Sequence, residues 1–141
     1  MKNMIKKKDN NVKFEDDLKL FQLIEFMIEK FQEEKAEEIL TPAHNMRIAY
    51  NIKDMGYTFT ITINDKKITA VPIKLEDAEV ELTTTSNDFH KMYSNQLDTI
   101  FALVTKRVTI DKGSLDKVSL AGMLPIAEYY IRACNEFAIE I

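Results

Sequence analysis

Cysteine, glycine, proline and tryptophan are scarce in this chain of 141 residues, which has one cysteine, three glycines, three prolines and no tryptophan. The single cysteine, Cys134, excludes an intrachain disulfide and a zinc site built from cysteine pairs. The glycines stand at positions 56, 113 and 122, a spacing that excludes a glycine-rich phosphate loop. So few glycines and prolines also leave no low-complexity linker.

Long apolar runs and clustered positive charge are also missing. No run approaches the ~20 residues of a membrane-spanning helix, and the chain does not begin with the pattern of a signal peptide. With one cysteine, this predicts a cytoplasmic protein. The net charge of −4 disfavours nucleic acid as a partner. The one basic cluster, Lys6-Lys7-Lys8, is interpreted as a solvated end, with transient contact to an anionic membrane as the alternative.

The length predicts one domain, residues 13–141, after a flexible polar N-terminus of residues 1–12. From Phe14 to Leu40, apolar residues recur at three- and four-residue steps, which is typical of a long amphipathic helix. Its apolar face is wider than a surface helix needs. A homodimer or another protein interaction through this face is therefore one reading of the chain.

Five short segments, at about 47–52, 57–63, 68–73, 80–82 and 107–110, alternate apolar with polar residues. The clearest runs from Tyr57 to Ile63, where threonines separate the large apolar side chains. Tight turns link most of the first four segments. The pattern predicts an α+β fold with a five-stranded, mostly antiparallel sheet and helices packed on one face.

Two short helices are predicted between residues 86 and 104, and a C-terminal helix begins near Pro125. These helices carry more large apolar side chains than helices this short need for their own packing. A filled core explains this surplus, and so does a cavity for an apolar ligand. Composition alone favours the filled core.

Candidate catalytic groups do not cluster in the sequence. His44 and His90 stand in separate elements, and Cys134 falls on an apolar stripe with Tyr130 and Phe137. The paired carboxylates lie on the charged face of the first helix. The sequence therefore predicts no catalytic residues, no metal site and no cofactor, and hence a protein that is not an enzyme.

Three segments in a fixed order carry a family resemblance. They are GYTFTITINDKKITA, AEVELTTTSNDFHKMYSNQLD and TIFALVTKRVTIDKGSLDKVSLAGML. This order of hairpin, acidic strand, capped Asp-Phe helix, second short helix and leucine-rich exit resembles the SCP-2 sterol-carrier family of lipid-binding domains. The hairpin turn Asn64-Asp65-Lys66 departs from the Asp-Gly that is frequent in the family, and Asn95-Gln96 replaces a frequent glycine.

The resemblance implies a soluble, non-catalytic carrier that holds a sterol-like, fatty-acyl or other apolar ligand in a tunnel between sheet and helices. Tyr129 or Tyr130 would then bond a ligand head group. The tunnel wall implied by the resemblance consists of Phe89, Met92, Ile100, Phe101, Val104, Met123, Ile126, Ala127, Tyr130 and Phe137.

Overall fold

A long helix opens the computed structural model, which describes residues 17–141. Helix α1 spans Asp17–Phe31 and continues through a π-helical turn, Gln32–Ala36, and one more α-helical turn, Glu37–Ile39. It ends before Thr41-Pro42, because proline disfavours helical geometry in the residue that precedes it. The flexible segment predicted for residues 1–12 lies outside the described residues.

Five strands form a single sheet. They are β1 (Met46–Ile52), β2 (Tyr57–Asn64), β3 (Lys67–Val71), β4 (Val80–Thr84) and β5 (Val108–Lys112), in the spatial order β3-β2-β1-β4-β5. The β1–β4 pairing is parallel, and the other three pairings are antiparallel. The predicted α+β fold with a mostly antiparallel, five-stranded sheet is thus confirmed.

The parallel pairing follows from the path between β3 and β4. The Thr60 hydroxyl, on the outer face of β2, donates to the carbonyl of Ile73 at 2.8 Å and accepts from the backbone N–H of Leu75 at 3.0 Å. These bonds hold the connection across the outer face of the sheet. The chain therefore reaches the far side of β1 before β4 begins.

Four further helices follow: α2 (Ser86–Tyr93), α3 (Thr99–Val104), α4 (Leu115–Gly122) and α5 (Ala127–Glu136). The first three are each capped by a side-chain oxygen, from Thr85, Asp98 and Ser114 respectively. Before α4, Gly113 has φ +105°, and a Cβ there would lie 2.7 Å from the carbonyl oxygen of Glu79. Any other residue at position 113 would clash with the backbone just before β4, so only glycine fits where the end of β5 passes close to it.

The core lies between the inner face of the sheet and the helices. Helix α1 contributes most to it, and its fully buried side chains are Leu20, Leu23, Ile24, Met27 and Phe31. The ring of Phe31 meets Tyr129 of α5 edge-on, with centroids 5.7 Å apart. The side chain of Gln32 joins the helix to the β2–β3 hairpin, because it donates to the carbonyl of Lys66 and accepts from the N–H of Ile68.

Candidate functional site

An apolar cavity of about 100 Å³ lies between the inner face of the sheet and the helices. Successive side chains of a strand point to opposite faces, so the cavity-lining residues of β1 and of β2 are two positions apart. The strands contribute Ile48, Tyr50, Ile61, Ile63, Ile68, Leu82 and Val108. The helices and the link between α4 and α5 contribute Met27, Met92, Tyr93, Thr99, Val118, Ala121, Gly122, Leu124 and Ile126.

The cavity wall carries no charge within the described part of the chain. Its polar side-chain groups there are three hydroxyls, those of Tyr50, Tyr93 and Thr99. An ionised group would have to lose its hydration without a compensating partner in such a space, which costs far more than burying an apolar chain. The cavity is therefore suited to hydrocarbon and to neutral polar groups.

Two of these hydroxyls form a hydrogen bond with each other. One belongs to Tyr50, on β1, and the other to Tyr93, at the end of α2. Tyr50 is held by its neighbours: its ring stacks on Phe59 with centroids 5.0 Å apart and meets Phe89 edge-on at 5.5 Å. Burial raises the pKa of Tyr50 to about 12 and raises the pKa of Tyr93 well above its ordinary value. Both phenols stay protonated at physiological pH.

A second hollow, of about 280 Å³, adjoins the cavity between the α2–α3 link and the α4–α5 link. The two spaces share the side chains of Met92, Thr99, Leu124 and Ile126 and the backbone of Gly122. We call this hollow the mouth. The residues that line only the mouth are Asn95, Leu97, Asp98, Pro125, Ala127 and Glu128.

Of the ten wall residues named from the sequence, the structure brings Met92 and Ile126 to the cavity and Ala127 to the mouth. Phe89 and Tyr130 are fully buried behind the lining, with ring centroids 6.2 Å apart. Phe137 lies elsewhere, in a surface groove beside α1 and β3, where it meets Phe26 edge-on at 6.0 Å.

The other four do not line the cavity. They point to solvent, with exposed fractions from 46% to 79%: Ile100, Phe101, Val104 and Met123. Helices α3 and α4 nevertheless cover the cavity, because Thr99 and Val118 on their opposite faces line it. Each of these helices has a single side chain classed as buried, Ala102 in α3 and Val118 in α4.

Sequence reasoning missed the strand half of the wall and the inner face of α4. The signal for the strands was present, since the alternation from Tyr57 to Ile63 already separates two faces. Helix α4 was signalled by Ser114, whose hydroxyl accepts from the N–H of Lys117 at 3.2 Å. The pairing of Tyr50 with Tyr93 had no local signal, because the two residues are 43 positions apart.

A buried hydrogen-bonded pair, His90 and Tyr130, lies behind the side chains that line the cavity. Nδ1 of His90 is 2.8 Å from the Tyr130 hydroxyl. Burial lowers the pKa of His90 and raises the pKa of the Cys134 thiol, beside Tyr130, to about 11. A nucleophilic cysteine requires the opposite shift of its pKa, because the thiolate is the reactive form. Cys134 is therefore unsuited to act as a catalytic nucleophile.

The other histidine, His44, lies at an exposed turn, where its Nδ1 accepts from the backbone N–H of Thr41 at 3.0 Å. Across residues 17–141, no three or more side chains of histidine, cysteine, aspartate or glutamate converge in a way that could hold a metal ion. None of the helices described is both long and apolar enough to cross a membrane.

The model of the SCP-2 sterol transfer family matches residues 24–118 of the chain. Among solved structures, Sterol Carrier Protein 2 from Yarrowia lipolytica (apo form) is similar at 16% identity, with a TM-score of 0.59 over 84% of this chain and 95% of its own. The UbiJ-SCP2 ubiquinone synthesis protein is 12% identical, with a TM-score of 0.60 over 79% of this chain and 96% of its own.

The stereoselective inverting sec-alkylsulfatase Pisa1 from Pseudomonas sp. also contains this fold, at 18% identity and a TM-score of 0.50. The match covers 62% of this chain but 12% of the sulfatase, so the chain spans only a small part of that enzyme. Identities this low show a shared fold and nothing finer. No match was found among curated protein sequences.

Proposed function

Because the chain belongs to the SCP-2 sterol transfer family, we propose that it is a non-catalytic carrier that encloses an apolar lipid between its sheet and its helices. The observation that carries the proposal is the uncharged cavity, which all five strands help to line. Of the wall residues named from the sequence, we keep Met92 and Ile126 for the cavity and Ala127 for the mouth. The ligand is a sterol-like molecule, a fatty acyl chain or a related lipid.

The driving force is removal of hydrocarbon from water, worth roughly 0.8 kcal/mol for each buried CH₂ group. A long chain of about 15 such groups reaches micromolar affinity even after about 4 kcal/mol is subtracted for the entropy of association. Met27 and Met92 add adaptability to the wall, because unbranched thioethers adjust to ligands of different shape.

We infer from the volume that the structure is a closed form of the carrier. An engineered cavity of about 150 Å³ holds one benzene molecule, so a space of about 100 Å³ is too small for a long chain. The cover formed by α3 and α4 is the part best suited to move, because each of these helices is anchored by one buried side chain. Helix α1, in contrast, has five side chains with no exposed surface.

The experiment compares binding of a fluorescent long-chain lipid to the wild type, to Ala121→Phe and to Leu115→Phe. Ala121 lines the cavity, so a phenyl ring there takes up the ligand's space, and we expect at least a tenfold loss of affinity. Leu115 lies on the same helix and is 52% exposed, so its variant should bind like the wild type. Undiminished binding by Ala121→Phe, or no lipid binding by the wild type, would refute the proposal.

The alternative function, an interaction module or homodimer that uses the first helix, loses its motivation. In the described part of the chain, most of the apolar face that suggested it is buried against the sheet and α5. Of the large apolar residues described in α1, Leu18 is the one classed as exposed, at 63%. A transient membrane contact stays part of the proposal, at the outer surface of α3 and α4, and the cytoplasmic location stays a prediction.

A further inference from the structure

The paired phenols of Tyr50 and Tyr93 have one hydrogen-bond donor more than the pair can use. Only one proton lies between two hydroxyl oxygens, so the proton of the accepting phenol points elsewhere. Across the described residues, neither hydroxyl has another protein hydrogen-bond partner. Tyr50 is 6% exposed, so water at the surface is not a ready substitute. A buried donor without an acceptor is destabilising, because it has lost its hydrogen bond to water.

The charges around the mouth disfavour an anion. Asp98 and Glu128 line it, and no lysine or arginine does so among the residues of the described chain. The nearby guanidinium of Arg132 is already engaged, because it lies 2.8 Å from Glu34 and 2.8 Å from Glu128. A carboxylate head would therefore meet negative charge at the mouth and an uncharged wall inside.

We propose that the Tyr50–Tyr93 pair recognises a neutral oxygen of the bound lipid, a hydroxyl or a carbonyl, and so selects neutral oxygen-bearing lipids over hydrocarbons and over free fatty acids. The surplus phenol proton donates to that oxygen while the apolar body of the lipid fills the cavity. This inference rests on the proposed function, since it names the ligand class of the same cavity.

The pair is fixed in position and in protonation. The ring of Tyr50 is held between Phe59 and Phe89, and the ring of Tyr93 stacks on Phe89 with centroids 4.3 Å apart. Since burial raises the pKa values of both phenols, the donor persists from neutral to moderately alkaline pH. The selection for a neutral oxygen should therefore not change between pH 6 and pH 8.

The test uses three ligands of equal chain length, decane, 1-decanol and sodium decanoate, and measures how each displaces a neutral fluorescent naphthylamine from the full chain. A net hydrogen bond of about 1 kcal/mol corresponds to about fivefold in affinity. We expect wild-type protein to bind decanol about fivefold more tightly than decane, and decanoate more weakly than decanol.

The decisive variant is the double substitution Tyr50→Phe with Tyr93→Phe. A single substitution would leave the other phenol free to donate, whereas removing both partners at once is close to neutral for stability. We expect the double variant to bind decane as the wild type does and to lose the preference for decanol. Tyr129→Phe is the control, because the Tyr129 hydroxyl donates to Glu34 at 3.3 Å and lines neither space.

The outcomes separate the two proposals. Decane binding without a preference for decanol, a preference that survives in the double variant, or decanoate binding as tight as decanol each overturns the inference and leaves the carrier function standing. Failure of all three ligands to displace the probe from the wild type overturns both.

Discussion

Cys134 has no exposed surface and lies beside Tyr130 in the core. Burial raises the pKa of its thiol to about 11, so very little thiolate exists at pH 8. We expect iodoacetamide to leave the native protein unmodified for hours and to alkylate it completely in denaturant. Because the chain has one cysteine, the intact mass reports this site alone. Labelling of the native protein at the rate of a free cysteine would contradict the structure.

Residue types alone did not reveal which large apolar groups face inward. Ile100, Phe101 and Val104 belong to a helix of six residues in which Ala102 is the only side chain classed as buried. The family resemblance implied that these bulky residues line the ligand space, and the structure turns them to solvent instead. On a helix this short, three- and four-residue steps define more than one apolar stripe, so periodicity cannot select the inner one.

At the scale of elements, α1 is the main support of the core, and its two faces make a matched comparison. Ile24 has no exposed surface, whereas Leu18 is 63% exposed. We expect Ile24→Ala to lower the free energy of unfolding by about 2 to 5 kcal/mol, because the lost methyl groups leave a cavity. Leu18→Ala should change it by less than about 0.5 kcal/mol. Urea denaturation measures both, and equal losses would contradict the placement of the apolar face.

The cover formed by α3 and α4 should open more readily than the rest of the fold, because few buried side chains hold it. We expect backbone amides of α4 to exchange with deuterium at least tenfold faster than those of α1, and to slow when lipid is bound. Hydrogen exchange with peptide-level mass spectrometry measures both rates. Equal protection of α1 and α4 would contradict a movable cover.

The sequence predicted most elements correctly, and its omissions have physical causes. Alternation from Tyr57 to Ile63 and the hairpin turn after it identified β2 and β3. The parallel pairing of β1 with β4 depends on a connection that crosses the sheet through bonds to Thr60, and such long-range bonds have no local pattern. The bonds from the Gln32 side chain to the distant β2–β3 hairpin have no local pattern either.

For the whole molecule, we expect a membrane contact to use the outer surface of the cover. Its exposed apolar side chains include Ile100, Phe101 and Val104 of α3, Leu115 of α4, and Met123, which follows α4. Two exposed cations, Lys106 and Arg107, lie just after α3, and the guanidinium of Arg107 is 5.9 Å from the centre of the Phe101 ring. Cations beside an apolar surface favour an anionic membrane, by about 1 kcal/mol for each one. Docking here would place the movable cover against the lipid that supplies the ligand.

We therefore expect the protein to co-sediment with vesicles that contain phosphatidylglycerol, and to do so less in high salt. Val104 is 75% exposed, so Val104→Asp should leave the fold intact and weaken vesicle binding at least tenfold, because a carboxylate replaces a side chain that enters the bilayer. Ile73→Asp is the matched control: Ile73 is 56% exposed, but its carbonyl is bonded at the outer face of the sheet. If both variants bind vesicles equally well, the cover is not the docking surface.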